Sequence, residues 1–114
     1  MRAMTDERRS AKRHTLWIPV QVKASEEVHM LAVSRNISWK GVLVIVGASV
    51  EVGERVQLTL QVPGEDDLEI GGEIVRSEVN EDDPDGLWRH LLAIRFDREV
   101  HSLESAFERL ENKS

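Results

Sequence analysis

The sequence contains no cysteine, which excludes disulfides and thiolate metal sites and fits a reducing compartment such as the cytoplasm. No segment approaches the ~20 consecutive apolar residues of a membrane helix. No apolar stretch follows the N-terminal charges, as it would in a secretory signal. There is no internal repeat and no low-complexity segment. The histidines His14, His29, His90 and His101 are scattered without metal-ligand spacing and read as surface residues. The acidic pairs Asp66–Asp67 and Asp82–Asp83 fall in hydrophilic stretches and read as solvated turns. No nucleophile or acid–base set stands out, so an enzyme is not expected. These absences describe a soluble cytoplasmic protein with no catalytic centre, no metal and no membrane insertion.

What is there is enough for one domain. The chain has 114 residues, 40% of them apolar, near the common size of a single hydrophobic core. Its formal net charge is −6, but the charge is uneven. Residues 1–14 hold five basic and two acidic residues, while the remainder holds ten basic and nineteen acidic. An acidic body repels long nucleic acids, which argues against a barrel that binds single-stranded DNA or RNA. A short basic arm can still hold a small anion, although a solvated tail has the same composition.

Residues 1–13 show no hydrophobic period, and residues 1–15 are expected to form a flexible N-terminal arm. From Leu16 the period becomes two: Leu16, Ile18, Val20 and Val22 alternate with Trp17, Pro19, Gln21 and Lys23, predicting a half-buried strand. Pro19 cannot donate to a ladder, which suggests an edge or a bulge. Further strands are expected at Val28–Arg35, Val42–Val46, Val56–Val62, Leu68–Val79 (bent at Gly71 and Gly72) and Trp88–Phe96, separated by turn chemistry at NISWKG, EVGE, PGEDD and NEDDPDG. After Asp97, Val100, Leu103, Phe107 and Leu110 mark one face of a helix, with Glu104, Glu108, Arg109 and Glu111 on its wet face. The fold class is therefore all-β: a six-stranded antiparallel barrel over residues 16–114, closed by a C-terminal helix.

Two patterns carry candidate chemistry. The first is Arg9-Ser10-Ala11-Lys12-Arg13, an R-x-x-x-R pair preceded by Arg8. A guanidinium can grip a phosphate or the guanine O6/N7 edge with two parallel hydrogen bonds, and can stack on a base. The second is Asn36-Ile37-Ser38-Trp39-Lys40-Gly41, N-x-S-x-x-G, which offers an amide, a hydroxyl and a glycine where a ligand can approach the backbone. Together they suggest a split site for a small ligand with phosphates and purines. Trp17, Trp39 and Trp88 could stack on a base; Trp17 and Trp88 sit at strand positions where packing is the expected use, and Trp39 is harder to place in a core.

In order and spacing, with the strand pattern between and after them, these motifs resemble the bacterial PilZ family, whose members bind cyclic di-GMP. The likeness covers nearly the whole chain. It implies a cyclic di-GMP effector domain that signals to a protein partner, with Arg9, Arg13, Asn36, Ser38 and Gly41 in the site, and Lys12 and Trp39 as additional contacts. Arg8 would hold a second, stacked ligand molecule. Asn36 stands where many relatives have Asp, and an amide has one acceptor oxygen where a carboxylate has two, so the site should still work with weaker guanine selectivity. The implied mechanism is a loose arm that ligand folds back over the turn, a local change leaving the C-terminal helix untouched. The competing reading is a degenerate PilZ-like barrel that binds a protein and no nucleotide.

Overall fold

The computed structural model describes residues 11–113 of the chain. Strands β1 (Pro19–Lys23), β2 (His29–Ile37), β3 (Gly41–Val46), β4 (Arg55–Leu60), β5 (Leu68–Val79) and β6 (His90–Phe96) close an antiparallel barrel in the order β1-β2-β3-β6-β5-β4. A 3-10 turn, His101–Leu103, leads into helix α1 (Glu104–Lys113). This is the architecture expected from the periodicity. No helix among the described residues is long and apolar enough to cross a membrane.

Closure leaves every strand with two partners, so no edge is exposed. Pro19 therefore sits at no edge; it takes the first position of β1, where a missing N–H does least harm. Inward residues at period two fill the barrel, among them Val20, Val22, Val44, Leu58, Leu60, Ile74 and Leu92, all fully buried. Leu16 and Ile18 before β1, and Val100, Leu103, Ala106 and Phe107 after β6, join the same core. Burying a side chain the size of Phe107 contributes roughly 1.5–3 kcal/mol, which is what docks a helix of ten residues that would be marginal alone.

Three local departures from the expected pattern matter. The first strand was expected from Leu16, yet the ladder begins at Pro19. Leu16–Ile18 is instead stapled to β2 by the buried Ser34, whose Oγ accepts from Ile18 N at 3.0 Å and donates to Leu16 O. Because Leu16 and Ile18 both face inward, Trp17 between them faces out and is 63% exposed, against its expected packing role. In β5 the irregularity is a register shift with β6 between Ile74 and Arg76, while Gly71 and Gly72 pair with β4 in unbroken register.

The third departure places the candidate site. β2 continues to Ile37, so Asn36 and Ile37 are strand residues and the expected six-residue turn shrinks to Ser38–Lys40. A bulge makes this work: the pairing of β2 with β3 shifts between Ser34 and Asn36. Strict alternation from Ala32 and Ser34, both inward, would bury Asn36. The extra residue resets the phase, leaving Arg35 and Asn36 half-buried and returning Ile37 to the core.

Candidate functional site

Arg13 meets the bulged strand here. Its Nη1 donates to Asn36 Oδ1 at 2.8 Å, on the exposed surface. Arginine has no acceptor, so the amide oxygen must face it and the Asn36 NH₂ is left to donate elsewhere. Arg13 of the first motif and Asn36 of the second, 23 residues apart in sequence, thus share one surface. Arg8 and Arg9 lie outside the described residues. Lys12 is exposed beside the same segment.

Residues 13–15 are fixed from two sides. His14 forms an isolated antiparallel bridge with Ile37, through His14 N to Ile37 O at 2.8 Å and Ile37 N to His14 O at 2.9 Å. Its ring, expected at the surface, is 0% exposed. Nε2 lies 3.1 Å from Glu104 Oε2 and Nδ1 lies 2.9 Å from Glu111 Oε1. The ring also tilts against Phe107, with centroids 5.6 Å apart. Thr15 N donates to Glu111 Oε2 at 2.8 Å. Glu104 and Glu111, assigned to the wet face of the helix, are therefore half-buried clamps on the arm. A neutral imidazole donates from one nitrogen only, so the full set of bonds needs one additional proton shared by His14 and the two carboxylates. The Thr15 amide, then His14, hold the Glu111 carboxyl below its ordinary range.

The turn is closed by its own hydrogen bonds. Ser38 is 2% exposed, and its Oγ accepts from Lys40 N at 3.1 Å while Ser38 N donates to Gly41 O at 2.9 Å. Trp39 is half-buried against the core; its ring lies 3.9 Å, centroid to centroid, from His101, and its carbonyl accepts from Val100 N. One indole face is thus already covered. Gly41 is buried, and a Cβ there would run into the carbonyl oxygen of Ile94. Its bare Cα lets β3 lie close to β6.

Sequence reasoning missed His14, Glu104 and Glu111. The signal was present: one step back from Leu16 at period two lands on His14, and Glu104 and Glu111 lie seven residues apart, flanking Phe107 on one side of a helix.

The PilZ domain family model matches residues 7–110. The chain belongs to the PilZ domain family. Solved structures agree on the fold. A Bacillus subtilis inhibitor of motility, MotI/DgrA, superposes with a TM-score of 0.70 at 18% identity, over 91% of this chain and 49% of that one. This PilZ domain therefore spans about half the length of that protein. The PilZ domain of CeSA from a cellulose-synthesizing bacterium gives a TM-score of 0.59 at 18% identity, over 90% and 97% of the two chains. The PilZ domain of Escherichia coli YcgR, solved with c-di-GMP, gives 0.64 at 13% identity, over 93% and 90%. No curated protein matches this PilZ domain in sequence.

Proposed function

We propose that this PilZ domain is a cytoplasmic cyclic di-GMP effector: it binds the dinucleotide without turning it over and passes the bound state to a partner protein. The observation that carries the reading is the 2.8 Å hydrogen bond from Arg13 to Asn36, which brings one residue of each motif together on the exposed surface. The YcgR PilZ domain, similar in fold, holds this ligand. In this reading Arg9 and Arg13 grip phosphate and guanine edges, with Lys12 nearby. The Asn36 NH₂ donates to guanine acceptors, and the Ser38–Gly41 turn, closed by its own hydrogen bonds, holds the end of β2 that carries Asn36 in place. Trp39 supports that turn.

Arg8 adds a guanidinium directly before the pair and holds a second, stacked molecule. Isothermal titration at low salt, with GTP as control, tests both points. Affinity of about micromolar or tighter, roughly −8 kcal/mol, is expected for cyclic di-GMP, saturating near two ligands per chain and near one in Arg8→Leu. No heat with cyclic di-GMP refutes the function; a parent stoichiometry of one refutes the role of Arg8.

A further inference from the structure

We propose that His14 and Glu111 are positioning residues for the dinucleotide site, so that helix α1 forms part of the binding machinery; this rests on the cyclic di-GMP reading above. The arm reaches the site through residues 13–15, and β-type pairing there amounts to one bridge, His14 with Ile37. In an extended segment successive side chains point to opposite faces. Turning His14 inward therefore turns Arg13 outward, onto Asn36. What keeps His14 inward is α1. Glu104 and Glu111 take its two ring nitrogens, Phe107 packs against its ring, and Glu111 also takes the Thr15 amide.

An apolar side chain would fill the same buried space, but it would not select this pose. Two directed bonds from one helix do, because a flipped or slipped arm would leave both carboxylates unmet in a half-buried setting. The bond set also makes the coupling mutual. A ligand that favours the clamped pose of Arg13 favours the docked pose of α1 by the same free energy, and the reverse. Ligand state is then legible at the C-terminal helix, which sequence reasoning had expected to be a bystander.

The test uses Glu111→Ala, a substitution on a partly exposed helix position that leaves the core intact, and His14→Phe, which keeps a ring against Phe107 and removes both bonds. Amide hydrogen exchange of the ligand-free proteins comes first. His14 and Ile37 should exchange faster in both variants while the amides of β4 and β5 stay as in the parent. Cyclic di-GMP affinity is then measured for each variant with Arg13 present and with Arg13→Ala. With Arg13 present the loss should be about tenfold, the equivalent of one modest hydrogen bond; in the Arg13→Ala background it should nearly vanish. Equal losses in both backgrounds would mean a merely structural role, and unchanged exchange at His14 and Ile37 would mean no clamp; either overturns the proposal. If the parent itself fails to bind cyclic di-GMP, the proposed function fails, while the exchange data still decide whether α1 holds the arm.

Discussion

Asn36 shows how much one residue's environment decides. As an isolated amide it could turn either its oxygen or its nitrogen to a ligand; beside Arg13 the oxygen is turned to the guanidinium and the NH₂ group is left to donate. Arg13 is the charged member of the pair, and hydrogen bonds to charged groups contribute roughly 1.5–3 kcal/mol each. Arg13→Ala is therefore expected to weaken cyclic di-GMP binding by about tenfold to a hundredfold, with Arg2→Ala, outside both motifs, as the neutral control in the same titration. Parent-like binding by Arg13→Ala would reduce the arm to a tail.

Glu111 supplies a pH test. Its carboxyl titrates below the ordinary 4.5 because the Thr15 amide and His14 stabilise the carboxylate, with a smaller contribution from Lys12. The groups facing it are thus Thr15, His14 and Lys12 from the arm, and Glu104 of the same helix through the His14 ring. A depressed folded-state pKa contributes stability that is present above the unfolded value and lost as pH falls through the folded one. Urea midpoints followed from pH 7 downward should therefore drop below about pH 4.5 more steeply in the parent than in Glu111→Gln, and the two should converge in acid. Parallel curves would show that Glu111 contributes no such linkage.

At the scale of elements, the strands were legible because alternation is a direct consequence of a pleated backbone with one buried face. The fifth strand even kept its bounds, Leu68–Val79. What alternation could not show is a bulge, since one extra residue looks like an ordinary break in pattern. NISWKG therefore read as a turn, although Asn36 and Ile37 belong to β2. The same limit applies to Gly41, which read as an opening for ligand and is found against the β6 backbone. Gly41→Ala must move β3 away from the Ile94 carbonyl. Overpacking of this kind costs about 1–3 kcal/mol, so the urea midpoint of Gly41→Ala should fall well below that of the parent with an unchanged m-value. A neutral substitution would mean that the β3–β6 contact relaxes freely.

At the scale of the whole molecule, the charge is unevenly placed along the chain. Beyond residue 14 the chain carries nineteen acidic and ten basic residues, against five basic and two acidic before it. This asymmetry was legible from composition. The route by which it reaches the barrel was not, because His14 and its two carboxylates are brought together by packing between segments 90 and 97 residues apart. On the proposed reading, a dinucleotide with two phosphates is repelled by the acidic body and attracted by the basic arm, with Arg9 and Arg13 as the cations that hold it. Added salt screens both fields, over ~8 Å at physiological ionic strength. On the proposed reading the arginine–phosphate attraction is closer and stronger than the repulsion from the dispersed acidic residues, so its screening outweighs the loss of that repulsion. The affinity for cyclic di-GMP should therefore change little at the lowest salt and decline steadily as ionic strength rises toward and past the physiological range. In Arg13→Ala the decline should be shallower, since one cation has left the site. Titrations across a salt series decide the matter: an affinity that rises throughout would mean that body repulsion dominates and that the arm is not what holds the phosphates.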